Sequence, residues 1–183
     1  MSLLRILTVP LAFVAELWAQ AAIRRTLDPK ETHREIGIVV ASPHEQNELL
    51  VDKVRRALDL VALYGPRHLV QLQRRSPVLA IIPSRWLRRR RARYFRRAQY
   101  CALGKSWLWR DSTEGVATML VFLAVHARLA ALGVDVARFG DRVDQRVAKE
   151  SLWFAETLPW GDATAAKWRD HLQRLDADRA DRQ

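Results

Sequence analysis

Apolar residues recur at intervals of three and four along most of this chain, and the interruptions fall where helices begin and end. From Glu45 to Tyr64, the positions Leu49, Leu50, Val54, Leu58, Val61 and Ala62 share one stripe. That spacing predicts an amphipathic helix, ended by Gly65-Pro66. His68 to Leu72 predicts a second, shorter helix. Two runs break the helical period. Ile36-Gly-Ile-Val-Val40 is β-branched and bounded by Ser42-Pro43, and Pro77-Val-Leu-Ala-Ile-Ile-Pro83 is an apolar run between two prolines. Both predict strands. From Tyr94 to Trp109, the residues Tyr94, Tyr100, Leu103, Trp107 and Trp109 surround Gly104-Lys105, which predicts a β-hairpin with aromatic strands turning at that pair.

The best-marked element follows. Asp111 is placed to cap a helix, Glu114 three residues later to complete a capping box, and Gly133 to end it. Between them, Val116 to Val125 carries almost no polar group, so the helix should be buried on most sides. Arg128 and His126 in its second half favour a core helix over a membrane span. A further helix is predicted over Arg142 to Leu158, with the stripe Val143, Val147, Phe154 and Leu158, ended by Pro159-Trp-Gly161. The last should start near Asp162, bury Trp168, Leu172 and Leu175, and fray from Asp176 into a solvated tail.

At the other end, Leu11, Val14, Leu17, Trp18 and Ala21 form an amphipathic stripe. Glu16 opposes a membrane span, and Phe13-Val14-Ala15 is a poor cleavage signal. A docked or interfacial helix is expected, with Arg24 and Arg25 available to headgroups if residues 3–23 lie on a membrane surface. The chain thus reads as an N-terminal amphipathic helix (1–27), a globular domain (28–175) and a polar tail (176–183). The fold class is α+β, helix-rich, with the buried central helix packed on a small sheet and hairpin.

Composition narrows the chemistry. With 183 residues, 49% apolar and 28% charged, the chain is long enough and apolar enough for one globular core. The single cysteine, Cys101, excludes an internal disulfide framework and a thiolate zinc site, and fits a cytoplasmic setting. A net charge of +11 draws attention to acidic proteins, anionic lipid or nucleic acid as partners. The charge is concentrated in Arg88, Arg89, Arg90, Arg91, Arg93, Arg96 and Arg97, with Trp86, Tyr94 and Phe95 among them. These are the candidate anion-binding residues. Helical spacing would spread them all round, and strand spacing would split them between two faces. The competing reading is a solvated sheet edge on which charge blocks edge-to-edge pairing.

The central helix carries a second candidate. Val121-Phe-Leu-Ala-Val-His-Ala-Arg-Leu129 has the layout of a His-Glu-x-x-His zinc-peptidase helix. In such a helix two histidines one turn apart hold zinc, and the glutamate activates the bound water. Together with Arg142-Val-Asp144 and Phe154-Ala-Glu-Thr-Leu-Pro159, this segment resembles small bacterial proteins with a zincin-like fold, similar to minimal gluzincin metallopeptidases. The resemblance places the second zinc histidine on His126 and the acidic third ligand on Asp144. It places the first ligand on Phe122 and the catalytic base on Leu123, neither of which has a group for the task.

The chain therefore offers two residual ligands where a catalytic zinc needs three. No cofactor is expected, and zinc hydrolysis by a rearranged site is the weakest of the readings. His33, His44, His68 and His171 are the remaining histidines, and none lies at ligand spacing. Phe122 and Leu123 are expected to fill the former metal site and close the cleft. The function expected is a non-catalytic, metallopeptidase-like scaffold that binds an unknown protein partner, with a basic nucleic-acid or anionic-membrane binder as the alternative.

Overall fold

The β-branched run at Ile36–Val40 lies inside a sheet, paired along both edges. The structure, a computed structural model, describes residues 31–41, 47–87, 91–96, 98–134 and 140–181, apart from the side chains of residues 31 and 141. The helix expected over 1–27 and the residues Arg88, Arg89, Arg90 and Arg97 lie outside the described residues.

Strand β1 (Glu31–His33) and strand β2 (Ile36–Val40) form an antiparallel hairpin with Thr32 opposite Gly37. Strand β3 (Val78–Ile82) runs parallel to β2, with Ile38 opposite Leu79. Strand β4 (Ala92–Phe95) and strand β5 (Tyr100–Gly104) are antiparallel, and β5 runs parallel to β3, so the sheet order is β1-β2-β3-β5-β4. Alternation sorts the side chains between the two faces. Ile36, Ile38, Leu79, Ile81, Cys101 and Leu103 enter the main core with the helices. Ala80, Ile82, Tyr100 and Ala102 form a smaller cluster with Leu87, which comes from the single helical turn Ser84–Leu87.

Six helices complete the described residues: α1 (Asn47–Tyr64), α2 (Pro66–Arg75), α3 (Lys105–Arg110), α4 (Thr113–Ala131), α5 (Gly140–Thr157) and α6 (Asp162–Ala180). The α+β class follows directly. Helix α4 packs against α1, α2, α5 and β4. It is the one described helix long and apolar enough to cross a membrane, and 67% of its apolar stretch is buried inside the protein, as befits a core helix.

Four local expectations are corrected. The hairpin turns upstream of Gly104-Lys105, between Phe95 and Tyr100, where Gln99 has φ 51°. Because β5 is paired on both edges and buried along its whole length, Gly104 is left as a strand-to-helix junction, and Trp107 and Trp109 lie on α3. Aromatic strand propensity yields there to tertiary pairing. Helix α2 begins at Pro66, ahead of His68, since proline at the first helical position sacrifices no hydrogen bond. The cap of α4 is Ser112, whose Oγ accepts from the Gly115 N–H at 3.0 Å, in place of Asp111. Helix α6 runs through Ala180, so the polar end is helical beyond Asp176, whose Oδ1 accepts from Gln145 Nε2 at 2.6 Å.

Two buried or strained polar groups have consequences for stability. The β1–β2 turn places Arg34 at φ 52° and Glu35 at φ 61°, a left-handed pair that ordinarily selects Asn-Gly. It is tied down from α1, where Asp59 Oδ1 accepts from Arg34 Nε at 2.9 Å and lies 2.9 Å from His33 Nε2. His68, 1% exposed, is pushed down to about 4 by burial and by the Arg67 guanidinium, against the pull of the Glu150 carboxylate. For Glu150 itself, burial raises the carboxyl. Arg128 Nη2 at 2.6 Å and Arg146 Nε at 3.1 Å outweigh that and hold it below the usual range.

E35G is expected to raise stability by about 0.5–1 kcal/mol, read as a higher urea midpoint with an unchanged slope. His68 generates a pH dependence. Its folded-state pKa lies below the ordinary 6.5, so the unfolded chain takes up the proton more readily. Stability present above pH 6.5 should fall as the pH drops toward about 4, by up to about 3 kcal/mol. Urea titrations across that window should show this slope in the native chain and a shallower one in H68L. An equal slope in both would assign the effect elsewhere.

Candidate binding cleft over the central helix

One stripe of α4 faces a cleft. Gly115, Met119, Phe122, His126 and Ala130 recur at three and four, and they line a cleft of about 1250 Å³. Opposite them stands β4, with α5 contributing Asp144 and α6 contributing Thr164, Lys167, Trp168, His171 and Arg174. Leu123 also reaches the cleft, though it is 1% exposed and belongs mainly to the core.

The expected closure of this cleft is therefore overturned. The Phe122 ring lies along the wall, 4.6 Å from His126 and 5.7 Å from Trp168 between ring centroids, and Trp168 in turn meets His171 at 5.7 Å.

His126 and Asp144 share the cleft with Arg91, Arg93 and Arg96, the described members of the arginine cluster. His126 Nε2 comes within 3.9 Å of Asp144 Oδ1, beyond hydrogen-bond length but close enough for an ion pair when the imidazole is protonated. Arg91, Arg93 and Arg96 border the same cleft from the ends and middle of β4. Strand geometry splits them as the alternation rule requires. Arg93 sits opposite Ala102, and its guanidinium lies 4.9 Å from the Phe95 ring, on the sheet face that carries the Tyr100 cluster. Ala92 and Tyr94 face the main core.

β4 is the sheet's edge among the described residues. The Gly104 N–H donates to the Arg91 carbonyl at 2.9 Å, and these two residues stand directly opposite each other. In an antiparallel ladder this makes 91, 93 and 95 turn their backbone groups toward β5. The N–H and C=O of Ala92 and Tyr94 then point outward, as a template for another strand.

Of the other histidines, only His171 joins the site. Burial pushes its pKa below the ordinary value, and Arg174 pushes it further, while Asp144 opposes and Arg91 adds to the depression. His33 is engaged at Asp59 and His68 lies beside Arg67, while His44 is outside the described residues. No group of three or more His, Cys, Asp or Glu among the described residues is arranged to hold a metal. Cys101 takes no part, since burial drives its thiol up to about 12 against a hydrogen bond with Ser76.

Sequence reasoning missed the α6 wall. Lys167, Trp168, His171 and Arg174 fall at helical spacing, and that mixed cationic and aromatic stripe was the available signal. No protein-family model, curated protein or solved structure matches this chain.

The electrostatics of the cleft can be read at His171. By NMR, its ring should titrate below the ordinary histidine range, R174A should move it upward, and D144N should move it further down. A His171 pKa indifferent to both substitutions would mean these groups do not share one site.

Proposed function

We propose that this chain is a non-catalytic, zincin-like scaffold that binds a polypeptide partner, holding an extended segment of it in the cleft bordered by β4, α4 and α6. The observation that carries this reading is an open cleft whose wall presents Phe122 and Leu123 where a metallopeptidase needs a ligand and a base. Neither side chain can bind a cation or take a proton, so hydrolysis by a zinc-bound hydroxide has no starting point here. What remains suits recognition. The outward backbone groups of Ala92 and Tyr94 supply a strand's hydrogen bonds, and the rings of Phe122 and Trp168 supply apolar contact. A buried, unreactive Cys101 agrees with a cytoplasmic setting.

The resemblance to a metallopeptidase helix has a direct test. In F122H/L123E the new imidazole would stand where the phenyl ring now lies, 4.6 Å from His126 by ring centroids and on the same cleft as Asp144. Elemental analysis of untagged protein should find near-stoichiometric zinc in this variant and none in the native chain, because only the variant has three ligands. Zinc retained by the native chain would overturn the non-catalytic reading. A variant that folds without taking up zinc would overturn the zincin-like one.

A further inference from the structure

Resting on the reading of the cleft as a polypeptide site, we infer that it selects an acidic segment, added as a strand on β4 with carboxylates near both ends and apolar residues between them. The charges bordering the cleft do not cancel. Lys167 Nζ lies 3.2 Å from Asp111 Oδ1, and Arg93 is drawn over Phe95 on the other sheet face. Arg91, Arg96 and Arg174 then stand against Asp144 and Asp170. The excess grows along the sequence, because Arg88, Arg89 and Arg90 directly precede Arg91 and Arg97 directly follows Arg96. Cations thus bracket β4 at both ends.

Arg91 and Arg96 are five residues apart, a span of roughly 16 Å along an extended chain. A partner strand of about six residues covers it. Its ends meet guanidinium groups, which favour carboxylates through charge-assisted hydrogen bonds. Its middle passes Tyr94, Phe122 and Trp168, which favour apolar side chains. Burial is the main cause that lowers the pKa of His171, and Arg174 and Arg91 lower it further against Asp144.

A nucleic-acid strand is the less suited occupant. It has no use for the alternating N–H and C=O groups that Ala92 and Tyr94 present. The cleft rings also engage one another in a chain from His126 through Phe122 and Trp168 to His171, and do not stand apart as platforms for bases.

The probe is a fluorescein-labelled octapeptide, Glu-Glu-Val-Thr-Val-Thr-Glu-Glu, compared by fluorescence anisotropy with its all-Gln and all-Lys counterparts on the full chain. The acidic peptide should bind at least ~10-fold more tightly than the Gln peptide, a difference that shrinks with added salt. R91E/R96E/R174E, checked for native circular dichroism, should abolish that preference while the Gln peptide still binds. A92P removes one outward N–H without touching the β4–β5 ladder, and should weaken both peptides alike. If A92P fails to fold, N-methylation of alternate peptide residues tests the same hydrogen bonds. Equal binding of acidic and Gln peptides, both weakened by A92P, would overturn acidic selection and leave the polypeptide site standing. Failure of every peptide would overturn both. A single-stranded oligonucleotide that displaces the acidic peptide and binds more tightly than it, with a steep salt dependence, would overturn the acidic partner in favour of nucleic acid.

Discussion

Everything in this protein is arranged around the need to enclose α4. A helix with almost no polar group from Val116 to Val125 is stable in water only when other elements cover it. Each aliphatic side chain so covered contributes about 1.5–3 kcal/mol, and α1, α2 and α5 do most of the covering. Its ends are fastened by local chemistry. Ser112 caps the start, while Gly133, at φ 78°, lets the chain turn out at the end so that Val134 N–H can reach the Leu129 carbonyl at 3.1 Å. Gly115 is needed for a tighter reason, since a Cβ there would come 2.5 Å from the Asp111 carboxylate, which the Lys167 ion pair also engages.

The cleft is the remainder of that packing. Covering three sides of a helix with helices leaves the fourth, and on α4 the fourth side carries Gly115, Met119, Phe122 and His126. A stripe so mixed in size is a poor surface for another helix to pack against, and β4 stands across from it as the sheet's edge among the described residues. Hydrocarbon at positions 122 and 123 adds apolar contact to the wall without bringing the opposite wall closer.

Much of this was legible in the sequence. The helices α1, α4 and α5, the strands β2 and β3 and the splitting of arginines by strand spacing all follow from periodicity, punctuation and register. Where the reading failed, a non-local choice had intervened. Tyr100 to Gly104 could have been the outer strand of a local hairpin, but its pairing with β3 made it an inner strand and shifted the turn upstream. Asp111 and Ser112 are both capable caps, and the choice between them fell to backbone geometry that also lets Lys53 Nζ donate to the Asp111 carbonyl at 2.9 Å.

The sequence by itself determined most of the secondary structure that carries the site, the burial of α4, and the apolar character of positions 122 and 123. These depend on residues a few positions apart, and local spacing encodes them. Only the tertiary structure decided that His126 and Asp144 share one cleft with Arg91, Arg93 and Arg96, that α6 supplies its far wall, and that the cleft stays open. Those outcomes depend on distances between elements far apart in the chain. Such distances are set by how whole helices and strands pack, and no short stretch of residues specifies them.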